Sequence, residues 1–171
     1  GGMGKTTLAT VLYDRISQQF VACCFIDDVS KNYRLHDGPL GVQKQILDQT
    51  LGQDNHQIHN HYSATNLIRC RLSRQKALMI LDNVDHIEQL EKIAVHREWL
   101  GAGSRIIIIS RDEHILKQYG VDAVYQVPLL DSTNSLQLLC RKAFKLDHIL
   151  NSYEELVKYI LNYVNGLPLA F

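Results

Sequence analysis

Short apolar runs that alternate with amphipathic segments constrain the fold of this chain more than any other feature. KALMILD at 76–82 is a nearly continuous apolar run, so both of its faces need cover, as in a central strand of a parallel sheet. Further strands are predicted at ACCFIDDV (22–29), at RIIIIS (105–110), again covered on both faces, and more weakly at AVYQV (123–127). Strands that alternate with helices predict an α/β fold, a parallel sheet with helices on both faces.

The segments between these runs have helical periodicity. Leu8, Leu12, Ile16 and Phe20 recur at helical spacing after the first lysine. The polar stretch 31–37, which Gly38-Pro39 follows, is predicted to be a loop. The further helices are predicted at 42–52, 66–72, 87–100 and 113–119.

The pattern changes after Pro128. Two amphipathic segments, 129–145 and 152–166, follow each other with no strand between them. Asp131 and Ser152 are candidate N-caps, and Glu155 would complete a capping box with Ser152. We therefore predict an α/β domain over 1–127 and the start of a small helical domain over 128–171.

Composition excludes several classes of protein. The 171 residues carry 18 basic and 18 acidic side chains, which argues against a general nucleic-acid binder. There is no apolar run long enough to cross a bilayer. The cysteines have no metal or disulfide spacing, so reduced core thiols of an intracellular protein are expected. The histidines of NHQIHNH (His56, His59 and His61) lack cysteine or carboxylate partners at ligand spacing, so no metal site is predicted there.

The first seven residues, GGMGKTT, carry the strongest chemical motif. Gly4-Lys5-Thr6 matches the end of the phosphate-loop pattern G-x-x-x-x-G-K-[ST], whose first glycine and preceding strand would lie before residue 1. Glycines at 1, 2 and 4 permit positive φ, so that backbone N–H groups can converge on a phosphate. Lys5 would meet the β- and γ-phosphates, and the Thr6 hydroxyl would bind Mg²⁺. Thr7 would bond the α-phosphate or continue the helix; the alternative for the whole motif is a glycine turn before a helix.

The apolar run at 76–82 ends in an acid followed by an amide. Asp82 stands where a Walker B aspartate holds the Mg²⁺ of a nucleotide, although it could instead cap the next helix. Many ATPases carry a second acid at the position of Asn83. Asparagine can orient water but cannot take a proton, so slow or negligible hydrolysis is the hypothesis.

Charged residues also follow the neighbouring strands. Arg111 stands just beyond RIIIIS, where it could reach a γ-phosphate or form a salt bridge. Asp27 and Asp28 end the first strand on the same side of the sheet. They could touch Mg²⁺ or water, or cap the loop that follows.

The order of the motifs adds a resemblance. GGMGKTT, LDNVD, GSRIIIISRD, YQVPLLDSTNSLQLLCRKAFK and GLPLA together resemble the NB-ARC nucleotide-binding domain of plant NBS-LRR disease-resistance proteins. The aspartate Asp85 that closes LDNVD, and the segment CCFIDDVS, look like the TIR-type subclass.

The resemblance implies roles by position. The P-loop would comprise Gly1, Gly2, Gly4, Lys5, Thr6 and Thr7. Asp82 matches the Mg²⁺ aspartate, Arg111 matches the arginine that senses the γ-phosphate, and Pro168 matches the proline that packs near the adenine. This sequence departs from the family at two positions. Asn83 stands where an acid is commoner, and Ser110 stands where the family usually has threonine, although serine keeps the hydroxyl.

The implied function is an ADP/ATP-binding switch of an intracellular plant immune receptor, cytoplasmic or nuclear, which is at most a slow ATPase. TIR and leucine-rich repeat domains would flank it, with self-association on activation and no direct nucleic-acid partner. The alternatives are a P-loop phosphotransferase or other ATPase, and a fragment that does not bind nucleotide alone.

Overall fold

The computed structural model describes residues 1–52, 58, 60–93, 95–146, 148 and 151–170. These residues divide into two compact units, one of Leu8–Val124 and one that joins Gly1–Thr7 to Tyr125–Phe171. Each unit is described separately. The predicted domain limits at 127 and 128 stay a prediction.

A three-stranded parallel sheet lies in the unit Leu8–Val124. Its strands are β1 (Ala22–Ile26), β2 (Ala77–Val84) and β3 (Arg105–Ser110), in the order β1-β2-β3. The middle strand β2 is buried along its length except at Asn83, as its nearly continuous apolar run predicted. The predicted parallel α/β architecture is therefore confirmed.

Helices surround this sheet and supply most of its apolar core. Two of these helices, α3 (Gly38–Leu51) and α4 (His61–Leu72), bury Ile46 and Ile68 in the same cluster as Met79 of β2. The side chain of Gln43 is also fully buried, and its amide nitrogen donates to Thr65 Oγ1 at 2.9 Å. The elements are α1 (Lys5–Ile16), α2 (Val29–Tyr33), α3 (Gly38–Leu51), α4 (His61–Leu72), α5 (Ile87–Ile93) and α6 (Glu113–Tyr119).

Three local predictions in this unit are wrong. The stretch predicted as a loop from residue 31 begins inside α2, because Asp28 caps that helix by accepting from Lys31 N. The helix predicted over 87–100 ends at Ile93, and a short 3₁₀ turn follows at Arg97–Trp99. The strand β3 is only half-buried, because it pairs with β2 alone among the described strands.

The weak strand predicted at 123–127 is also absent. Residues 121–130, all of them described, contain neither helix nor strand. Val124 is 40% exposed and Tyr125 is 74% exposed, so the segment buries too little apolar surface to be ordered as a strand. The prediction relied on β-branched and aromatic residues, which favour a strand only where a neighbouring strand covers them.

The smaller unit contains two helices, α7 (Ser132–Ala143) and α8 (Glu154–Val164). The Asp131 carboxylate accepts from Asn134 N at 2.7 Å, so the predicted N-cap of α7 is confirmed. The predicted Ser152 cap is wrong: a 3₁₀ turn precedes α8, whose N-cap is Tyr153 without a side-chain hydrogen bond. The backbone of Leu130 donates to Gly166 O at 2.9 Å, which holds the segment before α7 against the end of α8.

The cysteines and histidines are distributed as follows. All four cysteines are free thiols; Cys24 and Cys140 are buried, whereas Cys70 is exposed and thus not the core thiol that was expected. Of the NHQIHNH histidines, His56 and His59 lie outside the described residues. His61 Nδ1 is 3.0 Å from Gln43 Oε1, so this side chain takes part in a packing network. No helix in the described part of the chain has the length and apolar character to cross a membrane.

Candidate functional site

The glycine-rich loop has the backbone that its sequence predicts. Gly2 and Gly4 both have φ of +79°, a left-handed conformation that side-chain-bearing residues rarely adopt. The helix α1 begins directly at Lys5. Thr6 and Thr7 are exposed in its first turn, and the Lys5 side chain is half-buried. Free backbone N–H groups and the positive end of a helix are the features that bind anions.

The GLPLA segment lies against this loop within the same unit. The backbone of Leu169 donates to Gly2 O at 3.1 Å. A Cβ atom on Gly2 would come within 2.8 Å of Leu169 Cβ, whereas one on Gly4 would meet only Pro168 Cγ at 4.0 Å. The structure therefore brings Pro168 beside the phosphate loop, and its packing against an adenine stays a prediction.

The second set of predicted residues lies in the unit Leu8–Val124, at the carboxyl end of β2. Asp82 is only 4% exposed, and Asn83, next to it, is half-buried. The pairing register between β2 and β3 shifts between Leu81 and Val84, so the chain is irregular at Asp82 and Asn83. Asn83 has φ of +54°, which asparagine tolerates better than most residues.

Asn83 forms a contact that the sequence did not indicate. Its Nδ2 atom donates to Asp28 Oδ1 at 2.8 Å, across the ends of β1 and β2. Asp28 itself has φ of +49° and caps α2. Asp28 therefore caps a helix, where the sequence suggested the cap of a loop, and it also has a direct link to Asn83.

Asp85 is the centre of a second polar network. Its Oδ2 atom accepts from Ser30 Oγ and from Arg34 Nη2, both at 2.6 Å, and its Oδ1 atom accepts from Gln89 Nε2 at 2.5 Å. Burial alone would raise the pKa of Asp85, but the hydrogen bonds from Ser30 and Gln89 and the charges of Arg34 and His86 lower it below its ordinary value. The network joins α2 to α5 through the end of LDNVD.

The end of β3 is held by Ser110. Its Oγ atom donates to Val84 O at 2.8 Å and accepts from Asp112 N at 3.1 Å. The hydroxyl that Ser110 shares with threonine thus ties β2 to the loop that carries Arg111. Arg111 is exposed, and the structure shows no ion pair between it and another described residue. Its role at a γ-phosphate or in a salt bridge stays a prediction.

The residues fit a magnesium nucleotide by their chemistry. A hydroxyl from Thr6 and a buried carboxylate from Asp82 are hard oxygen ligands of the kind that Mg²⁺ binds. The predicted site residues fall into two sets: Gly1–Thr7 and Pro168 in one unit, and Asp82, Asn83 and Arg111 in the other. Their joint action on one nucleotide stays a prediction.

Two features identify the class of protein. The first is a loop with left-handed glycines that leads directly into a helix beginning with Lys5 and Thr6. The second is a parallel sheet whose middle strand carries a buried aspartate near its carboxyl end. These are the features of P-loop nucleotide-binding proteins. The family model of the NB-ARC domain matches residues 1–148. The chain therefore belongs to the NB-ARC family.

Similar proteins support the same family. The chain is 35% identical over 171 residues to Disease resistance protein RUN1 of Vitis rotundifolia, an alignment that covers 99% of this chain and 13% of that protein. TMV resistance protein N of Nicotiana glutinosa is 34% identical over 178 residues, and that alignment covers 99% of this chain and 15% of the relative. Disease resistance protein RPP5 of Arabidopsis thaliana is 34% identical over 170 residues, and that alignment covers 99% of this chain and 12% of the relative. The predicted resemblance to the NB-ARC domain of plant disease-resistance proteins is confirmed, and the chain spans a small share of these relatives.

Proposed function

We propose that this chain is the ADP/ATP-binding switch module of an intracellular plant immune receptor. The observation that carries the proposal is the phosphate loop, in which left-handed Gly2 and Gly4 precede the first turn of α1. Membership of the NB-ARC family and the disease-resistance relatives support the receptor context. The proposed compartment is the cytoplasm or the nucleus.

Each side chain has a defined task in this proposal. The loop backbone binds the phosphates, and Lys5 neutralises the charge of the β- and γ-phosphates. Thr6 and Asp82 hold Mg²⁺, which would screen the phosphate charge when bound. Arg111 is proposed to contact the γ-phosphate and so to distinguish ATP from ADP, and Pro168 is proposed to pack against the adenine.

A switch needs two states that the two nucleotides stabilise unequally. Arg111 is exposed and has no ion pair within the described residues, so its guanidinium is available to a γ-phosphate that only ATP has. ADP would favour a closed state and ATP an open, self-associating one. Flanking TIR and leucine-rich repeat domains are proposed to transmit and control this change, since the chain covers only 13% of a relative such as RUN1.

Hydrolysis is proposed to be slow. Asn83 cannot accept a proton, and its amide nitrogen is engaged by Asp28. A slow turnover suits a switch, because the ATP state then persists long enough to signal.

Nucleotide binding with a Lys5→Ala variant tests the function. Fluorescent ADP and ATP are titrated with Mg²⁺ into the purified chain and into any longer natural protein that carries it. Lys142, exposed on α7, provides the matched control. We expect Lys5→Ala to weaken binding by about tenfold or more, the equivalent of a charge-assisted hydrogen bond, and Lys142→Ala to change it by less than about twofold.

Equal affinities for the wild type and Lys5→Ala would contradict the proposed site. Transfer of the γ-phosphate to a small-molecule acceptor would instead indicate a phosphotransferase. An absence of binding in both the chain and a longer protein would reject nucleotide binding altogether.

A further inference from the structure

Three chain segments meet at the amino end of the parallel sheet, within the unit that contains the sheet. They are residues 17–22, 69–77 and 100–105, which lead into β1, β2 and β3. Backbone hydrogen bonds join the middle segment to each of the other two, so the three lie side by side. These bonds run from Val21 N to Lys76 O at 2.8 Å and from Gly101 N to Gln75 O at 3.0 Å.

The side chains of these segments are unequal in charge, because they include five cations and no carboxylate. Four of the cations are exposed and one is half-buried. Within the described part of the chain, the ion pairs that the structure shows involve none of the five. The chain as a whole carries 18 basic and 18 acidic side chains, so the excess is local. We refer to the five residues as the basic end: Arg69, Arg71, Arg74, Lys76 and Arg105.

The dipole of α4 accounts for part of this charge. Arg69 and Arg71 lie in the last turn of α4, where cations offset the negative end of the helix. The other three members lie beyond that helix, in the turn before β2 and at the first residue of β3. Like charges that lie together without acids repel one another and destabilise the folded chain. An anionic partner would remove this cost, so the basic end has the electrostatic character of a binding surface.

Local contacts hold three of these cations in place without neutralising them. Two of them lie over aromatic rings, and the third donates to a backbone oxygen. A guanidinium has five N–H donors, so an arginine that is held in this way keeps donors for a partner. The contacts join Arg69 Cζ to the Trp99 ring centroid at 5.4 Å, Lys76 Nζ to the Phe20 ring centroid at 4.7 Å, and Arg105 Nη1 to Ser104 O at 3.0 Å.

We propose that the basic end binds an acidic polypeptide segment, in which several aspartate or glutamate side chains lie close together. Four of its five cations are arginines. The planar guanidinium forms two parallel hydrogen bonds with a carboxylate, which a lysine ammonium cannot do. Val21, beside Lys76 and 76% exposed, adds an apolar side chain of the kind that the centre of a protein–protein contact contains. The proposal does not rest on the nucleotide function, because Asp82 lies near the opposite end of the sheet.

Two other anionic partners fit these observations less well. An anionic membrane attracts basic side chains through a diffuse field and needs no fixed donor directions, whereas three of these cations are held by local contacts. Nucleic acid binds through many phosphates and favours a chain with a basic excess, whereas this chain is balanced. Both partners therefore serve as comparison probes in the test.

Binding of a fluorescent acidic peptide to the purified chain tests the proposal. The probe has about eight alternating aspartate and glutamate residues and spans about 26 Å when extended. Arg74→Glu/Arg105→Glu reverses two exposed charges that lie outside α4. Arg74→Lys/Arg105→Lys keeps these charges but removes the guanidinium groups. Lys142→Glu/Lys145→Glu is the matched control, because both lysines are exposed, belong to the other unit and give the same change in net charge.

The expected affinities follow from the charges and from their geometry. The wild-type chain should bind the peptide at about 0.05 M salt and lose about tenfold or more in affinity at about 0.5 M, because salt screens exposed charges. Arg74→Glu/Arg105→Glu should weaken binding by about tenfold or more, the lysine variant by about threefold, and the control by less than about twofold. Lys5→Ala should leave peptide binding unchanged, since Lys5 is not part of the basic end.

The unfolding temperature separates a loss of binding from a loss of fold. Arg74→Glu/Arg105→Glu should leave it unchanged or raise it, because the reversal removes repulsion between like charges. A lower unfolding temperature in this variant would show that the two arginines stabilise the fold, which contradicts the uncompensated charge from which the proposal starts.

Four binding results would overturn the proposal. The first is an absence of peptide binding, and the second is an equal loss in the control and in Arg74→Glu/Arg105→Glu. The third is wild-type affinity in the lysine variant, which would contradict contacts between guanidinium and carboxylate groups. The fourth is tighter binding of phosphatidylserine vesicles or of oligouridine than of the peptide, which would assign the basic end to a membrane or to nucleic acid. A failure of the nucleotide function would appear separately, as a lack of Lys5-dependent nucleotide binding.

Discussion

At the scale of single residues, the two left-handed glycines of the phosphate loop differ in what surrounds them. Gly2 and Gly4 share a φ of +79°, so alanine at either position carries a similar backbone cost of about 1–2 kcal/mol. Only at Gly2 would the added Cβ meet a neighbour at short range, Leu169 Cβ at 2.8 Å. The pair therefore separates backbone strain from packing against GLPLA.

We expect Gly2→Ala to lower the unfolding free energy more than Gly4→Ala does, in the absence of nucleotide. The additional cost at Gly2 should be about 1–3 kcal/mol, the usual range for overpacking. Chemical denaturation of both variants measures the difference. Equal destabilisation would mean that Leu169 does not pack against the loop in solution.

The hydroxyl of Ser110 is a second single-residue feature with a measurable effect. It bridges Val84 O and Asp112 N, and so fixes the loop that begins at Arg111. Ser110→Ala removes both hydrogen bonds and should cost about 1–3 kcal/mol of stability, whereas Ser110→Thr keeps the hydroxyl and should be nearly neutral. Denaturation curves for the two variants test this; a neutral Ser110→Ala would show that the bridge contributes nothing.

At the scale of elements, the Asp85 network determines how α2 and α5 are joined. Ser30 is only 4% exposed, and its hydroxyl donates to Asp85 Oδ2 at 2.6 Å. Ser30→Ala should therefore cost about 1–2 kcal/mol at pH 7. Ser152→Ala is the control, because Ser152 is exposed and does not cap α8, and it should change stability by less than about 0.5 kcal/mol.

The pH dependence of this network follows from the lowered pKa of Asp85. A carboxyl group whose folded pKa lies below its unfolded value stabilises the fold above the unfolded value, here 3.8, and loses that contribution as the pH falls through the folded value. The deficit of Ser30→Ala should thus be complete at pH 7 and shrink below about pH 4. A deficit that stays constant down to pH 2 would show that the ionised form of Asp85 is not what Ser30 stabilises.

The elements that the sequence predicted well are those whose own residues determine their burial. β2 has a nearly continuous apolar run and is the buried middle strand, and Asp131 caps α7 through a local hydrogen bond. The errors arose where contacts with residues distant in sequence determine the local structure. Val124 and Tyr125 have strand propensity but no covering neighbour, and α2 forms because Asp28 caps it and Val29 and Ser30 are buried.

The candidate site shows the same division. The glycine loop was predictable, because lysine and threonine follow the glycines at fixed spacing and only glycine suits its backbone. The contact between Asp28 and Asn83 was not, because 55 positions separate these residues in sequence. Aspartates at the end of one strand and an amide at the end of another were the only signal. Their pairing depends on the register of β1 and β2.

At the scale of the whole molecule, exposed apolar surface lies along the edge of β3 and on one face of α1. β3 has β2 as its one neighbour among the described strands, and Ile106–Ile109 are only half-buried. Leu8, Val11 and Leu12 of α1 are also exposed, at 47%, 44% and 37%. An open edge and an uncovered helix face of this kind favour the addition of a strand.

Amide hydrogen exchange tests whether the edge of β3 is open in solution. We expect the outward-facing N–H groups of Ile106–Ile109 to exchange about tenfold or more faster than those of the middle strand β2, because β2 has a hydrogen-bonded strand on each side. Equal protection of β2 and β3 would contradict the open edge, because the N–H groups of β3 would then need partners that the described strands do not supply.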